Sequence, residues 1–547
     1  MTCKASQPAT GGNAMIIAEH YKRLPENPFL EQDRENTTVL FGTLTPKHEA
    51  FIRAVFRGAG YKCENLPPPT RRAHDTGKEF CNNGLCNPNY FTSGALIEYL
   101  RERVRAGITP EEVVRKYLYF TAGGCGPCRF GMYEGEYRQS LDNAGFKGFR
   151  VITFQSGRAI QEGSQAPGLQ FNVNFGVGMF NALNLGDALF DLTYQIRPYE
   201  VHPGETDRVM AECVEDAAKF LETRRHFELI ERVPPWVARL LLRAPAVKKW
   251  ASAATKVRHH LYGTDYLALL DVLRERLNGI EVDRTRVKPV VKITGEFFSA
   301  LTEGDTNYNL FAFLEHEGAE VWVESIVSLI QYWLFQAQLH NRRRRGLKSM
   351  AEFWRKDLLF RGCIWFWASQ YDRVRNSLGE LVHPLPPERE LSQLAAPWYD
   401  PLTRGGEGHL EVGKALYYSR HQKCHLVLSV KPFGCMPSTQ SDGVMAGVCA
   451  QHPGLLFLPV ETSAEGEVHA LSRVQMALGD ARRRARAEFR RVLEDGRADI
   501  EQIRQHVAQN RELRRPFYRW RRRPGLAGTA ASFVADVAQQ VRRENGR

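Results

Sequence analysis

The chain of 547 residues is long enough for about three to four domains of roughly 150 residues each. Its 43% hydrophobic and 25% charged residues are close to the average of soluble globular proteins. No stretch reaches the roughly 18 uninterrupted apolar residues of a membrane helix. The N-terminus also lacks the apolar core of a secretory signal, so we expect a cytoplasmic protein without a membrane partner. The most apolar stretches, around 321–335 and 358–369, predict buried helices.

The net charge of +12 belongs mostly to the C-terminal end of the chain. Residues 481–547 hold 18 Arg against 8 Asp and Glu, a net of +10, which leaves +2 for the rest. The body of the protein therefore lacks the basic character of a nucleic-acid binder, and we expect no nucleic-acid partner. The stretch RELRRPFYRWRRR mixes Arg with aromatic residues, as single-strand binders do. We interpret it instead as a solvated amphipathic helix or a docking segment for an acidic partner.

Strand and helix patterns alternate through a first unit over residues 37–170, after a loose lead-in over residues 1–36. The predicted strands are TTVLFG, YKCENL, KYLYFT and FRVITFQ. A helix begins at TPKHEAF, and others begin near Phe91, Pro110 and Tyr133. PPPTRRAHDTGKEF is predicted to be a polar, proline-rich loop. Strands that alternate with helices predict a parallel sheet with helices on its faces.

Residues 171–285 are predicted to be mostly helical, and a second alternating unit follows over residues 286–480. Its strands include VKPVVKITG, AEVWVES, CHLVLSVKP and GLLFLPVE. Residues 481–547 predict a basic helical tail that frays into solvent. The expected fold class is therefore α/β, with two Rossmann-like parallel-sheet units, a helical middle segment and a basic helical C-terminal tail.

The 11 cysteines fall into two groups by context. In a reducing cytoplasm, clustered cysteines are more typical of metal or redox chemistry than of disulfides. One group lies in loops beyond predicted strands or before helices, where open α/β sheets bind ligands and helix N-termini favour anions. It consists of Cys81, Cys86, Cys125, Cys128 and Cys435. The remaining six fit small buried hydrophobes or the lead-in: Cys3, Cys63, Cys213, Cys363, Cys424 and Cys449.

Spacing alone leaves the chemistry of the first group open. The single CxxC of Cys125 and Cys128 is a weak signal that also fits a thiol pair, a tight turn or half of a zinc site. Zinc prefers four ligands in paired units, and the sequence holds no second CxxC. A metal or cluster site and a simple turn therefore both stay possible on these residues.

Six groups of local motifs in a fixed order give a resemblance to a known family. They are NNGLCNPNYFTSG, TAGGCGPCRFGMYEGEYR, RPYEVHPGE, ITGEFF with NYNLFAFLEHEGAEV, GGEGHLEVG and KPFGCMPST, and the resemblance covers residues 37–480. In these motifs the chain resembles the 2-hydroxyacyl-CoA dehydratase component family, in particular its single-chain, activase-related and double-cubane-like branch.

The resemblance implies an oxygen-sensitive iron–sulfur cluster held by Cys86 in LCNP, Cys128 in CR and Cys435 in FGCMP. It leaves a 4Fe-4S cluster and a larger double-cubane cluster open, because Cys81 and Cys125 would be the further ligands of the larger form. Polar neighbours of these motifs would line a substrate pocket, although turn and capping roles explain them too. The candidates for catalysis are Glu134, Glu407 and Ser438, and the further lining residues are Asn87, Arg129, Tyr133 and Thr439.

The activity that the resemblance implies is a low-potential, one-electron reduction of an acyl-CoA or another small molecule, in a dehydratase or reductase. Relatives take the electron from a separate ATP-hydrolysing activator protein and pair two similar subunits. We therefore expect that activator as a partner and a dimer of the chain with itself or with a similar subunit. The sequence holds no Walker-type phosphate loop of its own. Two alternatives stay open: a non-catalytic iron–sulfur electron-transfer or cluster-carrying protein, and a structural zinc protein.

Overall fold

The computed structural model describes residues 26, 28–124, 128–153, 168–170, 172–224, 234, 245–347, 349–403, 405–463 and 465–545. Within them the chain forms two separate four-stranded parallel sheets that are surrounded by helices. The prediction of an α/β fold with two parallel-sheet units is confirmed. In this described part, no helix combines the length and the apolar character needed to cross a bilayer.

The first unit is a parallel sheet in the strand order β2–β1–β3–β4. Its strands are β1 (Thr38–Phe41), β2 (Lys62–Asn65), β3 (Tyr117–Thr121) and β4 (Arg150–Thr153). Its helices are α1 (Pro46–Gly58), α2 (Arg71–Phe80), α3 (Asn87–Arg105), α4 (Pro110–Lys116) and α5 (Tyr133–Asn143). The central strands are buried apolar runs, such as Val39, Leu40 and Leu118, as is typical of parallel sheets covered on both faces.

Helix α2 corrects the prediction of a proline-rich loop over residues 67–80. Thr70 caps this helix by accepting a hydrogen bond from the backbone N–H of Ala73 at 3.3 Å. A Cβ added at Gly77 would lie 2.0 Å from the carbonyl oxygen of Tyr90, and one at Gly94 would lie 1.7 Å from that of Ala73. Two glycines thus let α2 and α3 cross with their backbones in contact. The helix depends on this tertiary packing, which a polar local sequence does not reveal.

The second unit repeats the topology of the first, in the order β6–β5–β7–β8. Its strands are β5 (Val290–Gly295), β6 (Glu320–Trp322), β7 (Leu426–Pro432) and β8 (Phe457–Thr462). The helices that lie between these strands in sequence are α10 (Phe297–Leu301), α11 (Leu310–His316), α12 (Ile326–Arg343), α13 (Met350–Ser377), α14 (Glu388–Ala395), α15 (Gly408–Arg420) and α16 (Met436–Gln451). β7 is buried along its whole length, so it forms the centre of this core.

A helical segment lies between the two sheets in sequence and joins their cores. Its helices are α6 (Val173–Ile196), α7 (Glu205–Thr223), α8 (Pro245–Tyr262) and α9 (Thr264–Gly279). Asp187 of α6 accepts the backbone N–H groups of Ile326 and Val327 at 2.9 and 2.8 Å, and so caps α12. The same carboxylate lies 3.2 Å from Nε2 of the buried His48 in α1. One buried side chain therefore connects elements of both units.

The C-terminal segment packs on the second unit instead of fraying into solvent. Its helices are α17 (Glu467–Gly496), α18 (Ile500–Gln509) and α19 (Thr529–Asn545). Val474 and Leu478 of α17 belong to the core of the second sheet, whereas Phe533 and Val537 of α19 are fully buried in a small core of their own. The segment is basic and helical, as predicted, but its apolar positions are buried by tertiary contacts.

Helix α13 corrects the prediction of a buried helix around residues 358–369. Trp354, Leu358 and Trp365 are 52%, 71% and 71% exposed. Their spacing of four and seven residues places them on one face of the helix. Apolar periodicity predicts which residues share a face, but it does not say whether the protein itself covers that face.

Candidate functional site

The three cysteines of the predicted cluster site each occupy the N-cap position of a helix. Cys86 precedes α3, Cys435 precedes α16, and Cys128 precedes the 3-10 turn Arg129–Met132. None of the three side chains makes the N-cap hydrogen bond that Ser, Thr or Asp makes at such a position. Helix capping therefore does not account for these side chains.

The starts of α3 and α16 resemble each other in sequence and in geometry. Each begins with Cys-X-Pro, at residues 86–88 and 435–437. Proline in the first turn loses no hydrogen bond, because first-turn N–H groups have no partner inside the helix. Cys86 and Cys435 have φ of −78° and −75°, both in extended backbone. The two units thus present one cysteine each in the same manner.

The loops of all three cysteines meet at Gly434. Its φ of +77° lies in the left-handed region, where glycine is favoured. A Cβ built there would lie 3.2 Å from the carbonyl oxygen of Leu85, 3.4 Å from Cα of Cys86 and 3.4 Å from the guanidinium of Arg129, which follows Cys128. The glycine therefore allows three separate chain segments to approach one another.

Hydrogen bonds from Asn87 fasten the first unit to the second at this point. Its backbone N–H donates to the carbonyl of Phe433 at 3.2 Å, and its side-chain amide donates to the carbonyl of Thr462 at 2.8 Å. Arg129 donates to the carbonyl of Gly84, which ties the Cys128 loop to the Cys86 loop. These bonds are distributed over three loops, so the arrangement does not depend on a single contact.

Backbone N–H groups lower the pKa of all three thiols. They are the N–H groups of Cys86 itself, of Phe130 for Cys128 and of Ser438 for Cys435. Tyr133 adds a hydroxyl that lies 2.9 Å from the sulfur of Cys86. N–H···S hydrogen bonds are the contacts that tune the potential of iron–sulfur clusters.

Burial is the larger influence on these thiols, and two carboxyl groups act in the same direction. Burial raises the pKa of Cys128 to about 12 and also raises the pKa values of Cys86 and Cys435. The charge of Glu296 raises the pKa of all three thiols, and that of Glu407 raises those of Cys128 and Cys435. Without a cation between them, the three thiols therefore stay protonated at neutral pH.

Glu407 is the N-cap residue of α15, and burial followed by the charge of Glu296 raises its pKa to about 8. The nearby cation Lys414 is already committed, because its ammonium lies 2.8 Å from the carboxylate of Glu324. Glu407 therefore keeps a proton at neutral pH, beside the thiols of Cys128 and Cys435.

The sequence analysis did not single out Glu296, although its motif ITGEFF was noted. Glu296 directly follows β5 and caps α10 by accepting the N–H groups of Phe298 and Ser299 at 3.1 and 3.0 Å. A Cβ at Gly295 would lie 2.1 Å from the carbonyl oxygen of Val430 in β7, so only glycine fits at the strand end. The signal that could have found Glu296 is its position after a central strand, which matches that of Cys435 after β7.

Cys81 lies apart from the three N-cap cysteines. It ends α2, is buried beside Leu85 and Tyr90, and interacts with Ser93 and Ser140 of α3 and α5. Cys125 lies outside the described residues, and its role as a further ligand of a larger cluster stays a prediction. The nine cysteines in the described part of the chain form no disulfide with one another.

The three catalytic candidates have different surroundings. Glu134 begins α5 and forms an ion pair with Arg138 at 2.7 Å, so its carboxylate is engaged. Ser438 is buried, and its side chain lowers the pKa of the Cys435 thiol. Only Glu407 combines a place beside two of the cysteines with a proton held at neutral pH.

The donor set consists of thiols, which bind both zinc and iron–sulfur clusters. Within the described ranges, no three His, Cys, Asp or Glu side chains converge closely enough to hold one metal ion. A single zinc ion needs ligand atoms within about 2.3 Å, whereas a cluster separates its thiolates across a larger cage. The three cysteines lie on separate loops, where Cys86 and Cys435 are buried and Cys128 is partly exposed, and this arrangement is compatible with the larger cage.

A scan against protein-family models and a search of curated proteins both returned no match for this chain.

Proposed function

We propose that this chain is the iron–sulfur component of a dehydratase or reductase of the 2-hydroxyacyl-CoA dehydratase type, with Cys86, Cys128 and Cys435 as the cluster ligands. The observation that carries the proposal is the meeting of their loops at Gly434, beside the ends of the central strands β5 and β7. A ligand in an open α/β sheet binds at this kind of edge. The six motifs that resemble the family supply the substrate class, an acyl-CoA or another small molecule.

When bound to three cysteines, such a cluster supplies a one-electron donor with one iron open to a non-protein ligand. The chain itself contributes burial and backbone N–H groups. Cys86 and Cys435 are 7% and 8% exposed, so water is largely excluded from their sulfurs. The N–H groups of Phe130 and Ser438 lower the pKa values of Cys128 and Cys435 and so favour the thiolate form.

Glu407 supplies the acid that loss of a hydroxyl group requires. A carboxyl with a pKa of about 8 is protonated at neutral pH, and a general acid works best when its pKa lies near the operating pH. Glu296 keeps the pKa of Glu407 high, because two carboxylates in one buried site repel each other. In this proposal Glu407 donates the proton, and Arg129 and Ser438 orient the substrate.

The enzyme and carrier alternatives are separated by a turnover experiment under anaerobic conditions. Protein loaded with iron and sulfide is mixed with a matching ATP-hydrolysing activator, ATP and a 2-hydroxyacyl-CoA. If the chain is an enzyme, the electron paramagnetic resonance signal of its reduced cluster should decrease in intensity only while substrate is converted. Glu407→Gln should then lower kcat at least tenfold at an unchanged iron content. Reduction by the activator without any product, from a panel of acyl-CoA substrates, would instead indicate an electron carrier.

We further propose that a second copy of the chain covers the exposed face of α13. Its stripe of Trp354, Leu358 and Trp365 is an apolar surface of a kind that monomers seldom leave open. A two-fold axis would pack the same stripe of both copies against itself. This surface matches the paired subunits that the family resemblance implies.

The dimer is tested by light scattering after gel filtration. Leu358→Ser with Trp365→Ser should convert a dimer to a monomer, whereas Val468→Ser, which changes a single residue that is 79% exposed on α17, should not. A wild-type chain that stays monomeric at tens of micromolar would contradict this part of the proposal.

A further inference from the structure

A cleft opens between the C-terminal segment and the second unit, away from the cysteine loops. We call it the C-terminal cleft. Its walls are residues 379–384, residues 421–423 after α15, and residues 516–532, and its volume is about 530 Å³. It contains part of the RELRRPFYRWRRR stretch, whose arginines the proposed reaction does not use.

The charges on the walls of the C-terminal cleft are strongly unbalanced. Its lining includes one carboxylate, Glu380, which lies 3.4 Å from the guanidinium of Arg519. The lining cations are Arg375, Lys423, Arg519, Arg522 and Arg523. Five cations around one carboxylate leave a net positive charge that nothing else on the cleft wall offsets.

Two of these cations, Arg522 and Lys423, form no direct ion pair in the described part of the chain, although the charges of Glu320 and Asp191 act on Arg522 and that of Glu390 acts on Lys423. Cζ of Arg522 lies 5.6 Å from the ring centroid of Trp520, and Nζ of Lys423 lies 5.1 Å from the ring centroid of Tyr417. Partial burial lowers the pKa of Lys423, and the charge of Arg522 lowers it further. The two cations therefore repel each other across the cleft.

The carboxylates nearest to Arg522 are bound elsewhere. Glu320 accepts hydrogen bonds from the hydroxyls of Tyr199 and Thr529 at 2.7 and 3.0 Å. Asp191 lies 2.9 Å from Nδ1 of His383 and also accepts its backbone N–H. Neither carboxylate can turn into the cleft without losing these bonds.

Partly buried contacts hold the walls of the cleft. Arg375 donates to the carbonyl of Val382 at 2.7 Å, and Arg523 donates to the carbonyl of Ala535 at 2.9 Å. Trp520 lies over the buried Arg284 at 4.9 Å, and its indole N–H donates to Ser532 at 3.3 Å. Arg375 and Arg523 are therefore held in position, and an anion that binds them needs little further ordering of their side chains.

We propose that the C-terminal cleft binds a phosphorylated small molecule of nucleotide size. Its volume lies within the roughly 300–1,000 Å³ of small-molecule sites. Arginine recognises phosphate through paired N–H donors, and lysine binds it as a point charge. Trp520 and Phe517 add aromatic surface to the lining, which suits the ring of a nucleotide.

The C-terminal cleft is separate from the proposed reaction site. Helix α15 begins after Glu407, beside the cysteine loops, and ends at Arg420, next to the cleft wall at His421. A helix of 13 residues spans about 20 Å. Loss of ligand binding at the cleft and loss of the cluster are therefore independent results.

Calorimetric titration of the full chain tests this inference with ADP, pyrophosphate and adenosine as probes. We expect ADP and pyrophosphate to bind and adenosine to bind at least tenfold more weakly, because phosphate carries the recognition. Lys423→Gln with Arg522→Gln should weaken ADP binding by about tenfold or more, since two charge-assisted contacts are lost. Arg490→Gln, which changes an exposed arginine of α17 outside the cleft, should change it less than about twofold.

Three results would overturn the inference. The first is the absence of binding by both ADP and pyrophosphate at millimolar concentration. The second is ADP binding that the double variant leaves unchanged, or adenosine binding as tight as ADP binding. The third is tight binding of a single-stranded oligonucleotide by a chain that does not bind ADP, which would assign the arginines to nucleic acid instead.

Discussion

The two sheet units have the same topology but contribute different groups to the place where their loops meet. The first contributes Cys86 and Cys128 on two loops, and the second contributes Cys435 together with Glu296 and Glu407. The Cys-X-Pro helix starts show that both units place a thiol in one way, whereas the acidic groups come from the second unit alone. This difference suggests a division of roles, in which thiols from both units bind the cluster and the second unit also handles protons.

Single serine substitutions of one thiol in each unit give the largest expected effect. Cys86→Ser and Cys435→Ser should each lose most of the bound iron, because the proposed cluster takes ligands from both units. Cys449→Ser, at the other end of α16 from Cys435, is the matched control and should keep wild-type iron. Iron and sulfide are assayed after anaerobic purification. Full iron in Cys86→Ser beside none in Cys435→Ser would assign the site to the second unit alone.

Gly434→Ala tests whether the loops of both units must meet at this residue. A side chain at φ +77° with neighbours at 3.2–3.4 Å should cost about 1–3 kcal/mol of unfolding free energy and lower the bound iron. The control Gly443→Ala lies in the same helix as Cys449, with no atom near its added Cβ, and should stabilise the chain by up to about 1 kcal/mol. Urea denaturation measures both. Equal stability in the two variants would contradict a close approach at Gly434.

Glu407→Gln tests the protonation of the second unit through the pH dependence of stability. The pKa of Glu407 rises from 4.5 to about 8 on folding, so folding takes up a proton between these values. The contribution of Glu407 to the free energy of unfolding should therefore be largest below pH 4.5 and fall as the pH rises towards 8. In Glu407→Gln, the free energy of unfolding should fall by about 1–3 kcal/mol less over this pH range.

Glu388→Gln is the control for this experiment. Burial raises the pKa of Glu388 to about 8 as well, but Lys414 and Glu324, not the thiols, act on it. Both variants should flatten the stability profile between pH 5 and 8 in thermal unfolding, and only Glu407→Gln should slow turnover. A steep profile that persists in Glu407→Gln, while Glu388→Gln flattens it, would show that Glu407 is ionised in the folded protein.

Tyr133→Phe gives the smallest expected effect and tests the first unit. It removes the hydroxyl that lies 2.9 Å from the sulfur of Cys86 and should lower the free energy of unfolding by about 0.5–1.5 kcal/mol. With the cluster bound, the loss of this hydrogen bond should shift the reduction potential to more negative values at unchanged iron content. Tyr137→Phe, whose hydroxyl bonds to Thr92 instead, should leave the potential unchanged. Equal potentials in wild type and Tyr133→Phe would remove Tyr133 from the site.

Several features were accessible from the sequence because they follow from local rules. Alternating strands and helices predict two parallel sheets. The rule that ligands lie beyond strand ends leads to five cysteines, and the family resemblance reduces them to Cys86, Cys128 and Cys435. Glu296 obeys the same rule, but one glutamate after a strand is too common a pattern to stand out. The effect of Glu296 on the three thiols is visible only in the structure, where the cysteine loops lie close to it.

The features that the sequence did not reveal depend on contacts between distant segments. Helix α2 forms where Gly77 and Gly94 let two backbones touch, and no local propensity encodes that crossing. The apolar stripe of α13 is exposed, whereas the apolar positions of α19 are buried. Only the positions of neighbouring elements decide between these outcomes.

Metal and sulfide analysis of the anaerobically purified wild-type chain, combined with electron paramagnetic resonance of the reduced protein, tests the central claim most directly. We predict a brown protein with iron and acid-labile sulfide in equal amounts, and a signal that disappears in Cys435→Ser but persists in Cys449→Ser. A colourless protein with stoichiometric zinc, or an iron signal that survives the loss of all three N-cap cysteines, would contradict it.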